Sequence, residues 1–149
     1  MEEIKVAGET AQFIVIRLGQ EQYGIDISYI ENIVRMQHIT RVPKLAPYLK
    51  GVINLRGEVI PIMCLSMKMG LPVEEETKAS RIIIIKMEQC GTLGLIVDEV
   101  KEVVTLDMTE QVEKLAFKKE DKSNFVQGVG KCDGGLISLL DLNAVTAEK

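Results

Sequence analysis

No tryptophan occurs among the 149 residues, and only three Phe and three Tyr are present. Any core must therefore be aliphatic, and the branched Ile and Val that fill the apolar runs favour strands. His38 is the only histidine. No Cys-x-x-Cys, His-x-x-x-His or Gly-x-x-x-x-Gly-Lys spacing occurs, which removes the usual zinc and phosphate-loop chemistries. The three cysteines, Cys64, Cys90 and Cys132, are odd in number and widely spaced, and suit reduced thiols better than a disulfide framework. Apolar runs such as Ile82–Ile85 are far too short to span a bilayer. Met1-Glu2-Glu3 opens without an apolar leader, so a cytoplasmic protein is expected. A net charge of −4 with no extended basic run puts nucleic-acid binding at a disadvantage.

What the chain does have is a repeat. Shifted by 70 positions, Phe13-Ile14-Val15 falls on Ile83-Ile84-Ile85, and Tyr23-Gly24-Ile25 on Leu93-Gly94-Leu95. At the same offset Ile30, Ile33 and Val34 meet Val100, Val103 and Val104. A second block repeats at an offset of 77, with Gly51-Val52 on Gly128-Val129 and Gly57 on Gly134. Glycines in register with aliphatic positions point to an internal duplication. The expected fold is all-β: two small five-stranded barrels packed on a shared apolar interface, with short helical turns. Subdomain boundaries are expected at about 10–72 and 80–145, joined by the polar stretch Pro72–Lys78. Two arrangements satisfy the repeat, with strand Phe13–Leu18 staying in its own barrel or crossing to the other.

Within each half the pattern is local and readable. Phe13–Leu18 and Tyr23–Ile27 read as strands, and Ser28-x-x-Glu31 has the spacing of a capping box over one helical turn. Pro43 and Pro47 interrupt the chain. Val52–Leu55 and Glu58–Met63 then flank Arg56-Gly57 as a hairpin, in which Pro61 suggests an edge strand or a bulge. Reactive constellations are sparse. A Cys64–His38 nucleophile pair competes with the simpler reading of a buried thiol. Asp98-Glu99 lacks a second positioned group for acid–base work. The mixed-sign run Lys118–Lys122 reads as a solvated loop, and Met63, Met67 and Met69 as core filling or a soft surface. No enzymatic activity is expected.

Several segments resemble the CheW family of bacterial chemotaxis coupling proteins. They are Tyr23-Gly24-Ile25-Asp26-Ile27, Ile39-Thr40-x-Val42-Pro43, Lys50-Gly51-Val52-Ile53-Asn54-Leu55-Arg56-Gly57-Glu58-Val59-Ile60-Pro61, Gly94-Leu95-x-Val97-Asp98-x-Val100 and Gly128-Val129. The resemblance runs from about Thr10 to Val145 and is most specific at Gly-Val-Ile-Asn-Leu-Arg-Gly. It implies one CheW-like domain over residues 1–149, built of two barrels of the type called SH3-like. It also implies a non-catalytic, cofactor-free adaptor that links the cytoplasmic tip of chemoreceptors to the regulatory domain of the histidine kinase CheA. Such a protein is cytoplasmic, is recruited to membrane-associated receptor arrays and makes no direct membrane contact. A coupling module of CheV or CheA is the alternative within this class. A small-barrel nucleic-acid binder is the alternative outside it.

The apolar residues Ile30, Ile33, Val34, Val97, Val100 and Val103 are candidates to line a groove for the helical receptor tip. Arg56 joins them because it lies in the family's most recognisable segment, and Arg makes forked hydrogen bonds that Lys cannot. For the kinase, the resemblance points to Ile39, Thr40, Leu49 and Gly51, with Phe117 as a second contact. One departure stands out: where the family usually has Asp-Leu-Arg, this chain reads Cys64-Leu65-Ser66, while Asp141-Leu142 keeps the Asp in the second half.

Overall fold

The computed structural model describes residues 9–114, 125–132 and 135–147. Along the first repeat run β1 (Thr10–Leu18), β2 (Glu21–Asp26), a 3-10 turn (Ile27–Tyr29), β3 (Ile30–Arg35), β4 (Leu49–Leu55), β5 (Glu58–Cys64) and α1 (Leu65–Lys68). The second supplies β6 (Arg81–Met87), β7 (Gly91–Val97), β8 (Glu99–Asp107), β9 (Val112–Lys114), β10 (Val126–Cys132), β11 (Gly135–Leu140) and α2 (Leu142–Thr146). The strands form two sheets, ordered β8-β1-β2-β11-β10-β9 and β3-β6-β7-β5-β4. The all-β class read from the sequence holds.

The compact units are not the sequence halves 10–72 and 80–145. One unit is the continuous stretch Tyr29–Val100, and the other joins the chain up to Ser28 with that from Lys101 onward. The β1–β2 hairpin of the first repeat thus lies in the sheet of β8–β11, and the β6–β7 hairpin of the second lies in the sheet of β3–β5. Of the two arrangements that the repeat permits, the chain adopts the crossed one. Each unit has its own aliphatic core. One is built on Ile53, Ile60, Ile62, Ile82 and Ile84, the other on Phe13, Val15, Leu106, Ile137 and Leu139.

The duplication persists in the pairing itself. In one sheet β5 runs parallel to β7 with Ile62 opposite Gly94, and in the other β11 runs parallel to β2 with Leu139 opposite Gly24. Those positions match at the offsets of 77 and 70. A β-carbon on Gly94 would lie 2.6 Å from Ile62 Cδ1, and one on Gly24 would lie 2.9 Å from Leu139 Cδ2. Each glycine lets a large side chain of the neighbouring strand cross it closely. A bulge falls between Leu49 and Gly51 in β4 and between Val126 and Gly128 in β10, again at matching places.

Both sheets curl until the first edge meets the last. Beyond β3 the chain continues to Thr40, which exchanges two backbone hydrogen bonds with Val52 of β4 (2.8 and 2.9 Å). Beyond β8 it continues to β9, where Glu113 lies opposite Val129. The closure is a single bridge in one unit and a three-residue strand in the other. This accounts for a sheet of six strands where five were expected.

Two local readings are corrected. The helical turn is present, but its cap is Asp26, whose Oδ1 accepts the Ser28 amide at 2.9 Å. Glu31 instead lies 3.9 Å from Lys86 Nζ. Pro61 is in neither an edge strand nor a bulge, since β5 sits between β7 and β4 and Pro61 lies directly opposite Val52. Val52 directs both its backbone groups to Thr40, so this rung needs no donor from residue 61. Pairing of β5 with β7 begins one residue later, at Ile62.

Candidate functional site: two surfaces at the ends of one strand

The first surface is the tip of the β4–β5 hairpin. Leu55 pairs with Glu58, so Arg56 and Gly57 form a two-residue loop. Both have positive φ, 56° and 85°, which is the geometry of a type I′ turn. Asn54 supports it by accepting the Gly57 amide at its Oδ1, 3.0 Å away. Holding an arginine in the left-handed region costs about 1 kcal/mol, a strain that natural proteins concentrate at functional positions. The guanidinium is exposed, and no carboxylate among the described residues lies within ion-pair distance of it. Arg56 borders a recess of about 300 Å³ with Glu31 and Asn32 of β3, Glu58, and Ile60 and Ile84 at its base. The hairpin tip and β3, separated by some twenty residues of chain, therefore meet at one place.

The second surface lies at the other end of β4. After Thr40 has bridged to Val52, the chain bulges outward through Arg41–Ala46 and returns at Leu49. The Leu49 amide donates to the Ala46 carbonyl (2.9 Å), and the Tyr48 carbonyl accepts the Cys64 amide (2.7 Å). The Tyr48 ring is held in turn by the ammonium of Lys68 in α1, 4.3 Å from its centroid. Gly51 has φ +138°, and a β-carbon there would sit 2.1 Å from the Thr40 carbonyl oxygen. Only glycine permits the bulge that brings Ile39 and Thr40 beside Leu49. The result is an open cleft of about 540 Å³, lined by Ile39, Leu49 and the intervening loop.

Of the residues expected to meet a receptor, Ile33 and Val34 alternate on β3. Val34 packs on the Ile53–Ile84 core, and Ile33 is half-buried on the other side of the strand. Val104 repeats this inward role on β8 in its own unit, and its neighbour Val103 is 48% exposed. Ile30 and Val100 are half-buried. Val97 is fully buried opposite Arg81, so its side chain offers no surface. Of the residues expected to meet the kinase, Ile39, Thr40, Leu49 and Gly51 converge as described, with Gly51 contributing backbone geometry. Phe117 lies outside the described residues.

Sequence reasoning missed Arg41, Val42, Lys44, Leu45 and Lys50, which share the cleft with Ile39 and Leu49. Val42 and Leu45 remain 40% and 38% exposed. A signal was available, because no Asp or Glu occurs from Asn32 to Gly57. Cys64 is buried and His38 exposed, and no hydrogen bond joins them among the described residues. No cluster of metal-ligating side chains occurs among the described residues either.

Both surfaces, the hairpin tip and the cleft, thus lie at the two ends of β4 within one small β unit. The chain belongs to the CheW-like domain family, whose model matches residues 12–149. It is 34% identical to a chemotaxis protein CheW of Bacillus subtilis over 134 residues, 90% of this chain and 85% of that one. A CheW of Helicobacter pylori is 31% identical over 92% of this chain and 82% of its own. The crystal structure of a scaffolding CheW from Thermoanaerobacter tengcongensis superposes with a TM-score of 0.84 at 32% identity, covering 93% of this chain and 94% of that one. The chain is thus a chemotaxis scaffold in fold and family, and not an enzyme.

Proposed function

We propose that this protein couples chemoreceptors to the histidine kinase CheA, holding one partner at each end of β4. The observation that carries this reading is the placement of the two surfaces. Leu55 borders the Arg56 recess and Leu49 borders the cleft, so six residue steps of one strand, about 20 Å, separate them. A strand paired along its length with β5 and bridged on its other edge to Thr40 is a stiff spacer, as an adaptor between two proteins requires.

The receptor tip, a helical hairpin, is assigned to the unit Tyr29–Val100, through Ile30 and Ile33 of β3, Arg56 and Val100. The regulatory domain of CheA is assigned to the cleft at Ile39, Thr40 and Leu49, with Phe117 as a second kinase-type contact. Binding to both partners recruits the protein from the cytoplasm to receptor arrays. Capture of a purified receptor cytoplasmic fragment and of CheA by the intact protein tests the assignment. Ile33→Asp and Arg56→Ala should lose the receptor and keep CheA, whereas Leu45→Ser should do the reverse. Wild-type protein that captures neither partner at about micromolar concentration, the range of transient signalling contacts, would sink the coupling reading.

A further inference from the structure

Charge is segregated along this acidic chain. From Asn32 to Gly57, 26 residues carry five Arg or Lys (Arg35, Arg41, Lys44, Lys50 and Arg56) and no Asp or Glu, although the whole protein has 22 acidic and 18 basic residues. The fold concentrates three of these cations around one feature. Arg41, Lys44 and Lys50 are the only charged residues lining the 540 Å³ cleft, and all three are exposed. Between them stand the half-exposed side chains of Val42 and Leu45. Aliphatic anchors inside a ring of one charge sign are the complement of a segment that carries the opposite sign around its own apolar residues.

We propose that the cleft recognises an acidic segment of a protein partner, one whose Asp or Glu side chains flank aliphatic residues that seat on Val42 and Leu45. Resting on the coupling reading, this makes the acidic segment a part of the CheA regulatory domain. A peptide fits better than a nucleic acid because the cleft has no Phe, Tyr or Trp in its lining on which a base could stack. Charge at an exposed rim acts mainly on the rate of encounter, so association should be steered by the basic ring and damped by salt.

The test measures binding of the full-length protein to the purified CheA regulatory domain at about 50 and about 300 mM NaCl. Affinity should fall roughly tenfold between the two salts, chiefly through a slower on-rate. Arg41→Glu/Lys50→Glu should weaken binding at low salt by about tenfold or more and flatten the salt dependence. Lys131→Glu, an exposed site in the other unit, is the control and should bind as wild type. Circular dichroism confirms that the doubly reversed protein is folded. Tight binding that ignores both salt and the double reversal overturns the acidic occupant and leaves the coupling reading standing. No binding at either salt overturns both. A single-stranded oligonucleotide that displaces the CheA regulatory domain would replace the acidic segment with nucleic acid as the occupant.

Discussion

At the scale of the residue, two glycines one hairpin arm apart have opposite tolerances. Gly51 is enclosed by the Thr40 carbonyl and Ile39, whereas nothing lies within 4 Å of where a Gly57 side chain would begin. Gly51→Ala must abandon its φ or break the two Thr40–Val52 bonds, at a cost of about 3 kcal/mol. Gly57→Ala meets only the left-handed backbone, about 1 kcal/mol. Urea unfolding of the two variants should separate them by that margin. Asp107 offers a test in pH. The Thr109 hydroxyl (2.6 Å) and amide (2.9 Å) donate to one carboxylate oxygen, assisted by the Glu110 amide, and hold the carboxyl below the ordinary Asp range. A lowered folded pKa stabilises the fold above the unfolded value, and that contribution disappears as pH falls through the folded value. NMR titration should place the Asp107 midpoint below that of an unstructured Asp, and Thr109→Val should raise it. Ile39 and Thr40 were singled out because a family motif carries them. Arg41, Lys44 and Lys50 were not, because their meaning is collective: a missing sign of charge across a window, made local only by the loop.

At the scale of the element, the repeat pairs two short helices that begin differently. Asp141 caps α2 by accepting the Asn143 amide (3.1 Å), while Cys64 at the start of α1 makes no side-chain cap. Asp141→Ala should cost about 1 kcal/mol and lower the melting temperature by about 2–4 °C, read by calorimetry. The first helix has no such bond to lose. Cys64 is only 6% exposed, an environment that suits a thiol better than a carboxylate. The departure from Asp-Leu-Arg is thus absorbed by burial, with Lys68 and Tyr48 stacked beside it. Most strands were legible because aliphatic alternation and the Arg-Gly turn are local signals. The place of Pro61 was not. It depends on Thr40 drawing away both backbone groups of Val52, a bridge twelve residues long in sequence that no pattern announces.

At the scale of the molecule, sequence similarity located the duplication but left the ownership of its hairpins open. Periodicity records which residues pair in a repeat, and it is blind to whether the partner lies in the same copy or the other. Here the first copy lends β1–β2 and receives β6–β7, so neither copy contains a complete sheet of its own. The exposed, strand-free stretch between Pro72 and Lys78 is all that joins the two copies along the chain. Two separate polypeptides meeting at that stretch would each be an unfinished fold, completed only by the other. A gene split at the joint would therefore yield a scaffold that exists only where both products are present together.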